Sequence, residues 1–295
     1  MKTIDLKRRM VMLGLAFAVA TTTMVPSANA QTLKKKVSEE GELTIGIANT
    51  WPWGVTSKSG EVSGIYPDVI KAVVSTMGVK KVDFVVMDWG ALIPSLLARR
   101  IDVVAAGLYI TPARCEQVIF SDPVDSSGVT AIVKKGNPLD LHGFDGIAKN
   151  AQIRVGDIRG DSTTADAVAA GISKERIQMY QDNTAGIAAL QGGRIDALLL
   201  SSGTVAGLLK DPSLGGLERA VPFKGLVVNG REKKDSGGIA FRPEDTEFRD
   251  LFNKSLAQNE SNGAIKKIML SYGLTAEDVA PKGLTAKDFC GQFYR

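Results

Sequence analysis

Histidine is almost absent from this sequence, with one in 295 residues, and cysteine occurs twice. Aromatic residues make up only 6% of the chain, and three of them are tryptophans. Each scarcity excludes something. A lone histidine, His142, and two cysteines leave too few ligands for a structural zinc site. His142 sits in the polar stretch DLHGFDG, which suits a surface residue better than a general base. There is no Gly-x-Ser-x-Gly elbow to expose a nucleophile. No run beyond the first thirty residues approaches the length a membrane span needs. No basic stripe with interleaved aromatics is present, so no nucleic-acid partner is expected. No cofactor and no covalent chemistry are implied.

The sequence opens with an export pattern. Lys2, Lys7, Arg8 and Arg9 form a basic start, Met10 to Val25 an apolar region, and Ala28 and Ala30 the small-residue positions of a signal peptidase site. Cleavage is expected after Ala30, with delivery to the periplasm. The segment removed carries four basic residues and one acidic, so the formal charge falls from +4 to +1. In an exported protein an even cysteine count points to a disulfide, here Cys115 with Cys290, tying the C-terminal tail to an early segment.

What remains alternates. LTIGIA reads as a strand, YPDVIKAVVSTM as a helix stopped by Gly78, KVDFVVM as a strand, GALIPSLLARR as a helix and IDVVAAGL as a strand. A second series starts at VTAIVKK and AQIRVGD and continues through RIQMY, NTAGIAALQGG, RIDALLLS and GTVAGLLKD. Strands alternating with helices predict α/β lobes with mostly parallel sheets. LIPSLLARRIDVVAAG in the first series echoes GIAALQGGRIDALLLS in the second, which suggests two lobes of related design.

The few indoles are concentrated. IANTWPWG holds Trp51 and Trp53 just past one strand, and MDWGALIP holds Trp89 just past another. In doubly wound sheets a ligand sits beyond the carboxyl ends of the strands. Trp53, Trp89 and Tyr109, with Trp51 as a further candidate, therefore predict an aromatic wall. Such a wall suits a flat or delocalised cation, because ring faces carry negative potential.

The most specific stretch is AAGLYITPARCEQVIFSDPV, with Gly107, Thr111, Pro112, Arg114, Phe120, Ser121 and Pro123. It resembles the segment that bacterial periplasmic binding proteins for polar amino acids carry. GEVSGIYPDVIKAV and DWGALIPSLLARRIDVV resemble two further family segments in the expected order, so the likeness covers residues 40–275. Within that family, AGLYITPARC, DWGALIP, KKGNPLDL and the cysteine directly after the arginine are most similar to the ectoine/hydroxyectoine-binding proteins.

The resemblance implies an α/β fold of the two-lobe periplasmic-binding-protein kind (type II). Lobe 1 would span 31–133 plus 240–295 and lobe 2 residues 134–239. Hinge strands would lie near TAIVKK and GGIAF, with the ligand in the interlobe cleft. It implies a monomer that delivers a small zwitterionic solute to ABC permease subunits, with Arg114 as carboxylate anchor and Gly107 and Thr111 beside it. Two positions depart from the family pattern. Ser201 stands where amino-acid binders place an aspartate for the ammonium, and Thr50 where ectoine binders place a glutamate. Acid for a cationic group is then expected from Asp157 or Asp161, with Arg159 between them. Ser162 and Thr163 would add hydroxyls at a helix start. Ectoine or hydroxyectoine is the favoured ligand, with polar amino acids and opine- or betaine-like solutes as alternatives. A dehydratase-like enzyme on this fold is the alternative from another class.

Overall fold

The computed structural model describes residues 31–295, and the expected signal segment, residues 1–30, lies outside the described residues. The chain enters through α1 (Leu33–Glu40), a stretch that reads in sequence as a polar lead-in. Leu33 and Val37, one turn apart, are buried, and Gly41 at φ 72° closes the helix. Two well-spaced apolar residues are enough here because the Leu33 N–H also donates to Asp245 at 2.7 Å.

The first lobe then builds β1 (Glu42–Ile47), the small hairpin β2 (Val55–Thr56) and β3 (Val62–Ser63), α2 (Ile65–Val74), β4 (Lys81–Val86), α3 (Leu92–Leu97), β5 (Val103–Tyr109), α4 (Pro112–Cys115), β6 (Ile119–Phe120) and β7 (Asp125–Ser127). Helix α2 buries Ile65, Tyr66, Val69, Ile70, Val73 and Val74, the stripe of a 3.6-residue period. The chain crosses to the second lobe at Gly128. There it forms β8 (Val129–Lys134), α5 (Phe144–Lys149), β9 (Val155–Ile158), α6 (Thr163–Ala169), β10 (Ile177–Tyr180), α7 (Asn183–Gln191), β11 (Ala197–Ser201), α8 (Ser202–Leu208), β12 (Leu217–Arg219) and the hairpin β13 (Val227–Val228) and β14 (Arg231–Glu232). It returns through Lys233 and Lys234 into β15 (Asp235–Phe241) and ends with α9 (Thr246–Ser261), α10 (Ala264–Ser271) and α11 (Ala286–Cys290). Both crossings fall just ahead of TAIVKK and GGIAF. All of TAIVKK but its last lysine lies inside β8, and GGIAF lies inside β15, each within a single sheet.

Each lobe holds one main sheet besides its two-stranded hairpin, in the orders β4-β1-β5-β15-β6, with β7 also paired to β15, and β10-β9-β11-β8-β12. Both are mixed rather than mostly parallel. β4, β1 and β5 run parallel, as do β10, β9 and β11, but β15 and β8 run against their neighbours. The reason is topological. The parallel strands point their carboxyl ends at the cleft, so a strand entering from the cleft must run the other way. The inner strands are buried on both faces, all five residues of β11 for example, which is why they read as unbroken apolar runs.

The internal echo has a structural meaning. Asp102, before β5, accepts a hydrogen bond from the Thr44 N–H of β1 at 2.9 Å. Asp196, before β11, accepts one from the Arg154 N–H ahead of β9 at 2.8 Å. In both lobes the aspartate of Arg-Ile-Asp ties a helix–strand joint to the neighbouring strand. Cys115 and Cys290 form a disulfide, with Cα atoms 5.5 Å apart, that joins α4 to α11.

Candidate functional site

The carboxyl ends of β1, β4 and β5 face those of β9, β10 and β11 across a cleft that holds a cavity of about 330 Å³. Thr50, Trp53, Trp89, Gly107 and Tyr109 line it from the first lobe, and Asp161 and Ser201 from the second.

Trp53 is only 5% exposed. Its indole N–H crosses the cleft to the Thr204 hydroxyl at 2.8 Å. Two glycines leave room for the ring. A Cβ on Gly203 would stand 2.6 Å from Trp53 Cζ2, and one on Gly107, whose φ is +80°, would stand 3.4 Å from Cδ2. Trp89 follows β4 in a single tight turn and stays partly exposed. Its N–H reaches the Gly160 carbonyl of the other lobe at 3.3 Å. Tyr109 ends β5 with its phenol buried. Thr50 exchanges backbone hydrogen bonds with Gly54, the N–H donating at 2.7 Å, and so holds the loop after β1 as a tight turn.

Several expected residues stand away from the cavity wall. Trp51 packs edge-on to Tyr272, with centroids 5.4 Å apart, and against Gly207 of α8, while Lys210, just beyond that helix, lies 5.8 Å over its ring. It stands off the cavity lining, between Tyr272 and Gly207. Asp157 is fully buried and holds the loop together, accepting from the Ile158 N–H at 2.7 Å and from the Thr164 hydroxyl. Burial pushes its carboxyl well above the usual range. Arg159 is exposed, and its N–H is spent on the Tyr180 carbonyl at 2.8 Å. Ser162 and Thr163 open α6, but the Thr163 hydroxyl turns inward to Asp161 at 3.4 Å. Thr111 caps α4, accepting from the Arg114 N–H at 3.3 Å.

Arg114 is buried to 7% exposure, just behind the wall. Its guanidinium donates to the Tyr109 carbonyl at 2.8 Å and, across the cleft, to the Gly160 carbonyl at 2.9 Å, and it stands 6.0 Å from the Trp89 ring centre. Burial lowers its pKa, and the charges of Asp161 and Asp235 oppose that shift. Asp161 shows the reverse pattern: burial raises its pKa, and Arg114 pulls it back.

Sequence reasoning missed Asp88, Gln181, Asp182, Asn183, Thr184 and Thr204, all of which line the cavity. Signals were available. Asp88 precedes Trp89, and Asp182 is the N-cap of α7, accepting from the Ala185 N–H at 2.8 Å. Gln181 reaches across to Asp88 at 2.8 Å, a pairing of lobes that sequence spacing cannot reveal. The result is an aromatic cavity with three carboxylates on its wall (Asp88, Asp161 and Asp182) and no lysine or arginine among the described lining residues. Such a wall attracts a cation, with Arg114 set behind it.

Residues 43–275 match the model of the bacterial extracellular solute-binding proteins, family 3. The chain is 34% identical over 280 residues to a probable amino-acid ABC transporter periplasmic-binding protein of Sinorhizobium fredii, covering 94% of this chain and 92% of that protein. It is 28% identical to the lysine/arginine/ornithine-binding periplasmic protein of Escherichia coli, covering 90% and 97%. Among solved structures, EhuB in complex with hydroxyectoine superposes with a TM-score of 0.77 at 32% identity, covering 88% of this chain and 98% of that one.

Proposed function

The chain belongs to the bacterial extracellular solute-binding proteins of family 3, and from that premise we propose that it captures a small zwitterion bearing a delocalised cation, ectoine or hydroxyectoine foremost. At the coarser level it is the substrate-binding component of an amino-acid-type ABC importer, working with membrane permease subunits. Its relatives are periplasmic binding proteins rather than enzymes.

The observation that carries the ligand proposal is the wall itself: Trp53, Trp89 and Tyr109 with Asp161 and Asp88, backed by Arg114. An amidinium against indole faces and a carboxylate gains about 2 kcal/mol from a desolvated cation–π contact, beyond any ion pairing. A carboxylate on the same solute has Arg114 within the second layer, and a guanidinium carries five N–H donors, more than its two carbonyl bonds consume. The likeness to EhuB supports this choice. The excess of carboxylates over cations on the wall favours a second reading, a basic amino acid such as arginine or lysine.

Capture works by population shift. Bonds such as Gln181 to Asp88 and Trp89 to Gly160 exist only when the lobes meet, so a ligand touching both walls stabilises the closed state. The test is calorimetric titration of refolded, ligand-stripped protein with ectoine, hydroxyectoine, glycine betaine, L-arginine, L-lysine and L-glutamine, beside Trp89→Ala. Binding of an ectoine that Trp89→Ala weakens at least tenfold supports the reading. Binding of a basic amino acid alone replaces it with the second, and binding of L-glutamine alone rejects both.

A further inference from the structure

Thr204 was not among the residues expected from the sequence, yet it occupies an unusual place in the hydrogen-bond pattern of the cavity. It lies in the first turn of α8 and is 5% exposed. Its hydroxyl oxygen accepts from the Trp53 indole at 2.8 Å. The direction of that bond is fixed, because an indole nitrogen donates only. The same oxygen accepts from the Ser201 hydroxyl at 2.8 Å, while the Ser201 oxygen accepts from the Thr204 backbone N–H at 3.2 Å. A hydroxyl has two lone pairs and one proton. Both lone pairs of Thr204 are therefore filled, and the proton is left to donate. Among the described residues none accepts that proton, and Thr204 lines the cavity.

We propose that Thr204 is a specificity-determining residue: the bonds from Trp53 and Ser201 lock its hydroxyl as an obligatory donor, so that the cavity selects ligands carrying an oxygen acceptor at that point. The inference rests on the reading that this cavity takes the solute, and deepens it. It adds a condition on closure. Trp53 belongs to the first lobe and Ser201 and Thr204 to the second, so the donor is locked only when the cleft is shut. An open protein presents a hydroxyl free to turn. A closed one presents a fixed donor, and a ligand without an acceptor there leaves it unpaired in a buried wall, which is costly. Gly203 supports the arrangement by letting the indole lie against the start of α8.

The experiment compares wild type with Thr204→Val, which keeps the shape and removes the hydroxyl, and Thr204→Ser, which restores it, with ectoine and L-arginine as probes. Thr204→Val is expected to weaken the probe that binds by about tenfold, and Thr204→Ser to stay within about threefold of wild type. Repeating Thr204→Val in a Trp53→Phe background separates donation to the ligand from support of the indole. A further loss of several-fold in that background supports the proposal, and no further loss overturns it. A readout independent of any ligand class is the indole N–H spectrum of ¹⁵N-labelled protein, which holds three tryptophans. The Trp53 signal, assigned with Trp53→Phe, is expected to move and exchange faster in Thr204→Val and to return in Thr204→Ser. If neither probe binds wild type, the ligand reading fails by itself, and a Trp53 signal indifferent to Thr204→Val still overturns the lock.

Discussion

A single methyl group at position 207 should weaken ligand binding while leaving the second lobe at least as stable. Gly207 lies near the end of α8 in the second lobe, against Trp51 of the first. A Cβ there would stand 2.2 Å from Trp51 Cδ1 and 3.0 Å from Trp51 Nε1 and from the Trp51 carbonyl oxygen. The indole is held by Tyr272 and Lys210, so it cannot give way without loss. Overpacking of this kind costs about 1–3 kcal/mol. The clash exists only when the lobes meet, so it raises the free energy of the closed state alone. The expected result for Gly207→Ala is a dissociation constant raised about 5- to 150-fold, mainly through faster release. In the open state the substitution has the opposite sign, since alanine favours a helix over glycine by up to about 1 kcal/mol. The assay is calorimetric titration beside thermal unfolding of ligand-free protein, with Gly216→Ala, whose Cβ meets nothing within 4 Å, as control. Unchanged affinity in Gly207→Ala would refute the reasoning, because the Trp51–α8 contact would then not belong to the ligand-bound state. A lowered melting temperature with lowered affinity would equally remove its logic.

Other perturbations have defined signs. Cys115→Ser with Cys290→Ser opens a loop spanning 175 residues and should lower stability by about 2–4 kcal/mol in denaturant titration. Asp125, buried on β7 and bonded to the Tyr66 hydroxyl, has its pKa pushed up to about 7 by burial, above the unfolded value near 3.8. The native state thus holds this proton where the unfolded chain has lost it. The group's contribution is full below about pH 4 and is lost as pH rises toward 7, so urea unfolding at pH 5 and pH 7.5 should differ by up to about 3 kcal/mol less in Asp125→Asn than in wild type. Arg114→Lys keeps the charge but not the fork to the Tyr109 and Gly160 carbonyls, and should weaken binding by about tenfold or more. An affinity equal to wild type would show that neither carbonyl bond matters to closure.

Local chemistry made much of the fold legible. The apolar runs of β5 and β11 are buried on both faces, and the stripe of α2 faces the core, so period and composition marked them. Sequence pattern was silent where an element is decided by tertiary support. Helix α1 stands on Leu33, Val37 and a bond to Asp245, which is 212 residues away. The hairpin β13–β14, by contrast, turns on Asn229 and Gly230, both at positive φ, a local pair that favours a two-residue turn. For the site, strand ends and scarce aromatics pointed to Trp53, Trp89 and Tyr109 because those positions follow from the sheet alone. Trp51 and Asp157 share the same segments but turn toward α8 and into the loop interior. Asp88, Gln181 and Thr204 were missed because their meaning depends on which residue of the other lobe stands opposite, and one lobe's sequence holds no record of that.

The most direct test is native mass spectrometry of the protein released from the periplasm, without stripping, followed by mass measurement of whatever dissociates. One small solute per chain is expected, carrying a delocalised or ammonium cation and a carboxylate, and lost from Trp89→Ala. A bound sugar, an anion without a cationic group, or a solute retained fully by Trp89→Ala would contradict that expectation.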